Sequence, residues 1–302
     1  LGISIQTGLK IICGLIINKI IAVYTGPTGL AILGQFQNFI AISLSCSNCS
    51  IQTGIVKYTA EYNANQKTLM HKVWASSLLI TIIASALCSF LIVIFAYKYK
   101  LSLILLNSSS YTYLFYLFAG TLIFNVLNLY VLSVLNGLGK LSYYIGINIL
   151  INITSVFLIV ILTFFYKIDG ALASIILTQS IVFFLTLIVC FNKIDFKLND
   201  FFKNIDYIIV RRLLYFGLAT FASGVVVSLT SIGIRSIIES KLSLHYAGIW
   251  EGAWRISLYF NLFFFAPFSI YYFPKLSAVK CKNDTWEFFI SICKKFTLLM
   301  IS

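Results

Sequence analysis

The sequence predicts an all-α polytopic membrane protein, and three observations carry that expectation. The first is composition: of 302 residues, 60% are hydrophobic and 10% charged, with a mean hydropathy of +0.96. A soluble domain carries about 25% charged residues, so this chain cannot cover a globular surface with polar groups. A soluble enzyme, a nucleic-acid binder and a disordered tail are excluded on that ground. The second is that apolar runs of about 20 residues, the length of one bilayer-spanning helix, recur along the chain. The third is that the net charge of +13 sits mainly in the short gaps between those runs, where it reads as membrane topology.

Taken in order, the spans run roughly over 1–24, 31–56, 72–97, 111–136, 142–166, 171–191, 213–238 and 246–272, with a ninth beginning near 290. The first two are joined by Thr25-Gly26-Pro27-Thr28-Gly29, the strongest turn signal in the chain. No polar domain follows the first span, so it does not read as a cleavable signal. Asp284–Lys295 mixes charge with Trp286, Phe288, Phe289 and Ile292, the pattern of a segment lying along the membrane surface. The sequence opens without methionine and stops inside an apolar run, Phe296 to Ser302, and is expected to be a fragment cut at both ends. Cys46 and Cys49 form a C-x-x-C spacing without a second pair at zinc-finger distance and read as small packing residues.

Orientation follows from the cations. The even-numbered gaps hold Lys57, Lys67, Lys72, Lys140, Lys193, Lys197, Lys203, Arg211, Arg212, Lys275, Lys280, Lys282, Lys294 and Lys295, against Lys98, Lys100, Lys167 and Lys241 in the odd gaps, a split of 14 to 4. The positive-inside rule places the even gaps and the amino terminus in the cytoplasm.

Spans one–two and seven–eight share a pattern. Lys19 is followed about a dozen residues later by Leu30-Ala31-Ile32-Leu33-Gly34-Gln35, and Arg235 at nearly the same distance by Ala247-Gly248-Ile249-Trp250-Glu251-Gly252. Six spans separate the copies, so the repeat is parallel and implies two six-helix bundles. The domains expected are a first bundle over 1–191, a cytoplasmic linker over 192–212 and the start of a second bundle over 213–302.

Inside the spans lie four cations, Lys10, Lys19, Arg235 and Arg255, with Glu239 and Glu251. A charge at the bilayer centre costs about 2.5–3.5 kcal/mol on the insertion scale, so such groups face a cavity or a partner. Lys10 is mid-span without an acid nearby and reads as cavity-facing. Lys19 either faces the same cavity or snorkels to the outer interface. The two are about 180° apart on an ideal helix, so both meet one cavity only if the helix bends, with Gly14 as the weak spot. Arg235–Glu239 and Glu251–Arg255 are each four apart, and each pair either neutralises itself on one helix face or lines a cavity. Gln35/Asn38, Asn125/Asn128 and Asn148/Asn152 are one-face pairs, suited equally to interhelical hydrogen bonds and to a sugar-binding wall. The four cations against two acids favour an anionic passenger such as a pyrophosphate or an acidic sugar.

There is no G-x-x-x-x-G-K-[ST] loop for ATP, no acidic cluster for metal-dependent glycosyl transfer, and nothing resembling a selectivity filter. No cofactor or metal is called for, and no catalytic residue is identified.

Several motifs carry a family resemblance: Gly26-Pro27-Thr28-Gly29-Leu30-Ala31 with Gln35-Phe36; Val56-Lys57-Tyr58-Thr59-Ala60-Glu61-Tyr62; Gly248-Ile249-Trp250; and Tyr272-Phe273-Pro274-Lys275-Leu276. On these the chain resembles the polysaccharide-repeat flippases, the Wzx-type O-antigen and related lipid-linked oligosaccharide flippases of the multidrug/oligosaccharidyl-lipid/polysaccharide exporter superfamily. The nearest look is to the branch handling the enterobacterial-common-antigen lipid. The resemblance implies two six-helix lobes around a cationic cavity, alternating access, and an undecaprenyl-pyrophosphate-linked oligosaccharide as cargo. It places Lys10, Lys19 and Arg235 where that branch carries basic residues, with Glu251 where a glutamine is expected and Arg255 without a counterpart.

The reading is a flippase of the bacterial inner membrane, not an enzyme. Its substrate-binding residues would be Lys10, Lys19, Gln35, Asn38, Arg235, Glu251 and Arg255. Its partners would be the lipid-linked substrate, the bilayer and other polysaccharide-assembly membrane proteins, with no nucleic acid. A peptidoglycan-precursor flippase shares the cationic cavity. A drug/cation antiporter would line its cavity with acids, and a membrane glycosyltransferase or polymerase would need a larger outer loop than 98–110.

Overall fold

The computed structural model describes residues 2–63, 66–106, 108–193 and 205–267. Those residues form α1 (Gly2–Ser47), α2 (Gln52–Asn63), α3 (Lys67–Lys98), the short α4 (Leu101–Leu106), a 3₁₀ turn at Ser109–Tyr111, α5 (Thr112–Gly137), α6 (Leu141–Lys193), α7 (Tyr207–Lys241) and α8 (Leu244–Pro267). No strand occurs among the described residues. The ninth span, the segment Asp284–Lys295, the lysines from Lys275 onward and most of the predicted linker lie outside them.

Five helices are long and apolar enough to cross a membrane, and two of these, α1 and α6, fold back on themselves. In α1 the helical geometry fails only at Gly26, whose φ is 70° and ψ −174°. A left-handed φ suits glycine, which has no Cβ to clash, and Pro27 then starts the next arm with its φ already fixed. Asn18 and Gln37 would stand nearly 30 Å apart on a straight helix at about 1.5 Å per residue, yet both hydrogen-bond to Arg255, so the arms run antiparallel. The expected five-residue turn is thus one residue wide. In α6 the reversal falls at Lys167, φ 50° and ψ −125°, and brings Gly170 against the carbonyl of Leu162, eight positions earlier. The five helices therefore supply seven passes. α8, 24 residues long, follows where the eighth span is expected but is not among the helices apolar enough to cross a membrane.

Two differences from the sequence expectation concern helix ends. The second span does not run unbroken over 31–56: α1 stops at Ser47, Cys49 and Ser50 take φ of 48° and 50°, and α2 restarts at Gln52. The gap 98–110 is not all loop but contains α4 and the 3₁₀ turn. Neither is visible in an apolar pattern, which records burial rather than a local reversal of φ.

The apolar core is split into two clusters at opposite ends of the helices. One gathers Ile51, Trp74, Leu135 and Leu213 at the end carrying Lys72 and Lys140. The other gathers Ile21, Leu33, Leu114 and Leu172 at the Gly26 end. Polar side chains fill the middle: Asn128, fully buried, donates to Gln179 at 3.0 Å, and Ser77 and Thr81 donate to carbonyls of their own helix. At the lysine-rich end Asp206 caps α7 by accepting from the Ile208 amide at 3.0 Å, pairs with Lys72 at 3.2 Å and meets Ser76 through its backbone.

Candidate functional site

The hairpin of α1, the end of α7 and the start of α8 come together around one buried charge cluster. Arg235 is 2%, Glu251 4% and Arg255 7% exposed. Glu251 accepts from Arg235 at 2.5 Å with one oxygen and from Arg255 at 2.7 Å with the other. Arg235 also donates to Gln35, which is itself buried. Arg255 fans out to Asn18 at 2.9 Å and Gln37 at 2.7 Å. Trp250 covers Arg235, whose guanidinium lies 5.7 Å from the ring centre, a cation–π distance. Trp254 stacks on Trp250 with 9° between the planes.

This arrangement needs close helix approach. A Cβ on Gly34 would sit 2.5 Å from the Glu251 carboxyl carbon, so only glycine lets α1 meet that carboxylate. Two guanidiniums share one carboxylate, and the remaining partners are neutral amides. Glu239 lies beside Arg235 on the wall of a small neighbouring cavity, and among the described residues Arg235 Nε is buried without a hydrogen-bond partner.

The cluster forms one wall of a cavity of about 410 Å³. Facing it are Asn38, Asn125, Asn152, Thr178 and Gln179 from α1, α5 and both arms of α6. The lining thus joins a cationic side to an amide-rich side, the makings of a site for an anionic group attached to a hydroxyl-rich one.

The residues singled out in the sequence divide three ways. Gln35, Arg235, Glu251 and Arg255 are brought together, and Asn38 lines the same cavity. Arg235 takes a buried carboxylate from the next helix, at Glu251, and lines a small cavity with Glu239, while Glu251–Arg255 forms its within-helix pair. Lys10 and Lys19 are exposed on the first arm of α1 and absent from the cavity wall. Gly14 does not bend that arm: α1 departs from helical geometry at Gly26, and a Cβ on Gly14 would strike Tyr259, so its role is close packing against α8. Sequence reasoning missed Asn18, Gln37, Gln179 and Tyr259. Each is a polar group inside a predicted span, which was the available signal, but none has a same-helix partner to draw attention to it.

The fold defines a multi-pass, all-α membrane protein with a buried charge cluster in the wall of a central cavity. The sequence profile of the family described as "Polysaccharide biosynthesis protein" matches residues 2–280, and the chain belongs to that family. Over 301 aligned residues it is 26% identical to the lipid III flippase of Escherichia coli K12 and, equally, to that of Shigella flexneri. The match covers 92% of this chain and 66% of each relative, so the chain spans slightly under two thirds of their length. Among solved structures it resembles the MATE multidrug transporter DinF-BH, with a TM-score of 0.71 at 16% identity over 87% of this chain and 60% of that one. It also resembles an inward-facing multidrug resistance transporter of the MATE family, TM-score 0.64 at 18% identity over 82% and 57%, and a transporter of the MOP superfamily from Pyrococcus furiosus, 0.57 at 17% over 85% and 60%. These likenesses concern the fold.

Proposed function

We propose that the protein flips a prenyl-pyrophosphate-linked oligosaccharide from the cytoplasmic to the outer leaflet of a bacterial inner membrane, as a transporter with no chemical step of its own. The observation that carries this is the buried pair Arg235 and Arg255 sharing the carboxylate of Glu251 in the wall of a cavity whose remaining lining mixes amides with apolar side chains. A carboxylate-lined cavity would favour a cationic drug; two buried arginines in the wall favour a pyrophosphate, which guanidinium binds in bidentate fashion. Family membership and the lipid III flippase relatives support the same reading.

In this reading the pyrophosphate competes with Glu251 for the guanidiniums, the glycan meets the amide wall, and the prenyl tail stays in lipid. Asn38 acts within the cavity, and Gln35 holds Arg235 from behind its wall. The exposed Lys10 and Lys19 serve the approach of the anionic headgroup rather than its final seat. Rocking of one bundle (1–191) against a second that begins near 213 opens the cavity to either side. The lysine-rich end faces the cytoplasm with the amino terminus, and other polysaccharide-assembly membrane proteins act before and after transport.

The test is transfer of an undecaprenyl-pyrophosphate oligosaccharide in liposomes, followed by its access to an added glycosidase. Arg235→Gln, Arg255→Gln and Glu251→Gln together, which leave no buried charge unpaired, should slow transfer at least tenfold while the protein still melts cooperatively. Undiminished transfer in that variant removes the arginines from the site. Failure of the wild-type protein to move any prenyl-linked sugar, with export of a cationic dye instead, overturns the function.

A further inference from the structure

A second cavity, of about 360 Å³, lies at the lysine-rich end between α2, α5 and the first turns of α6. Its lining carries no charge: Val56, Leu129 and Leu132 give it an apolar side, and the polar groups are Gln52 and Thr53 from α2, Ser133 and Asn136 from the end of α5, and Tyr144 and Asn148 from α6. Asn148 uses its amide nitrogen on the Tyr144 carbonyl at 2.8 Å, which leaves its side-chain oxygen to accept. Ser133 donates to the Leu129 carbonyl at 2.9 Å, leaving its oxygen likewise. The three amides, the hydroxyls and the phenol thus present donors and acceptors with no fixed charge to repel or attract an ion.

This cavity is in register with the first. On α6, Asn148 lines the second cavity and Asn152 the first, one helical turn (about 5.4 Å) apart, with Asn152 donating to the Asn148 carbonyl at 2.9 Å. On α5 the same succession runs from Asn125 in the first cavity to Ser133 and Asn136 in the second. On α6 the two cavities are therefore joined by polar residues one turn apart, and on α5 polar residues line both, separated by Leu129 and Leu132.

We infer that the second cavity is a binding site for neutral sugar units of the cargo: it holds the part of the glycan distal to the pyrophosphate, and so selects for chain length. The inference rests on the flippase reading. Uncharged hydroxyl and acetamido groups suit it because they need paired donors and acceptors and no counter-ion, whereas a phosphate or carboxylate would find no cation among the lining residues.

The experiment compares two undecaprenyl-pyrophosphate probes, one bearing a single N-acetylhexosamine and one a neutral tetrasaccharide, in liposomes containing the protein. In Asn136→Leu and Asn148→Leu, transfer of the tetrasaccharide should fall about tenfold while the single-sugar probe moves within twofold of wild type, its movement also showing that the variant is folded. Asn136→Gln should recover most of the loss. Equal loss of both probes, or loss of neither, overturns the inference and leaves the flippase standing. Movement of neither probe by the wild-type protein overturns both.

Discussion

At the scale of single residues, Glu251 decides how two arginines can be buried at all. Removing one member of a buried ion pair costs about 3–5 kcal/mol, because the partner charge stays behind uncompensated. Here two guanidiniums depend on the same carboxylate. Glu251→Ala should therefore lower the melting temperature of the detergent-solubilised protein more than either Arg235→Gln or Arg255→Gln does, each of which leaves the carboxylate one arginine. Glu251→Gln, which keeps hydrogen-bond acceptance, should fall between. Equal melting temperatures for Glu251→Ala and wild type would mean that solvent or lipid phosphate reaches the arginines freely. The glutamine expected by family resemblance at this position and the glutamate found there differ in this respect: the acid gives the arginines a resident counter-ion that an anionic passenger must displace.

At the scale of elements, the joint between α3 and α7 is electrostatic. The Lys72 ammonium and the Ile208 amide hold the Asp206 carboxyl below the usual carboxylate range, since both stabilise its ionised form. A lowered folded-state pKa contributes stability that is present above the ordinary carboxylate value and is lost as pH falls through the lowered one. Asp206→Ala should thus melt below wild type at pH 7, and the gap should close as the pH is taken down past that range. A gap that stays constant on acidification would assign the effect to packing instead. Asp206→Asn, which keeps the cap and loses the ion pair, should recover part of the difference.

At the scale of the whole molecule, α8 is bound to both arms of the α1 hairpin. Arg255 reaches Asn18 on one arm and Gln37 on the other, and Tyr259 accepts from Asn18 at 3.4 Å. If transport requires α8 to move away from α1, tying them together should stop it. In a cysteine-free background, Asn18→Cys with Tyr259→Cys joined by a cleavable bifunctional thiol reagent should lose transfer, and cleavage should restore it. Full activity of the cross-linked protein would show that α1 and α8 travel as one body and that the moving interface lies elsewhere.

The sequence by itself determined that this chain is a bundle of apolar helices and where the charges within those helices fall. Burial in lipid forces whole spans to be apolar and whole gaps to carry the cations, so these features are written in composition and need no knowledge of neighbours. It also marked Arg235, Glu251 and Arg255 through the cost of charge in a span. Only the tertiary structure decided that Arg235 takes its carboxylate from the next helix, that Gly34 is the notch admitting that carboxylate, and that Lys10 and Lys19 stand apart from the cavity. The physical reason is that a helix fixes which residues share its own face, but rotation about its axis and approach to a neighbour are set by packing. Partners three or four residues apart are therefore legible along the chain, and partners 200 residues apart, such as Gln35 and Arg235, are not.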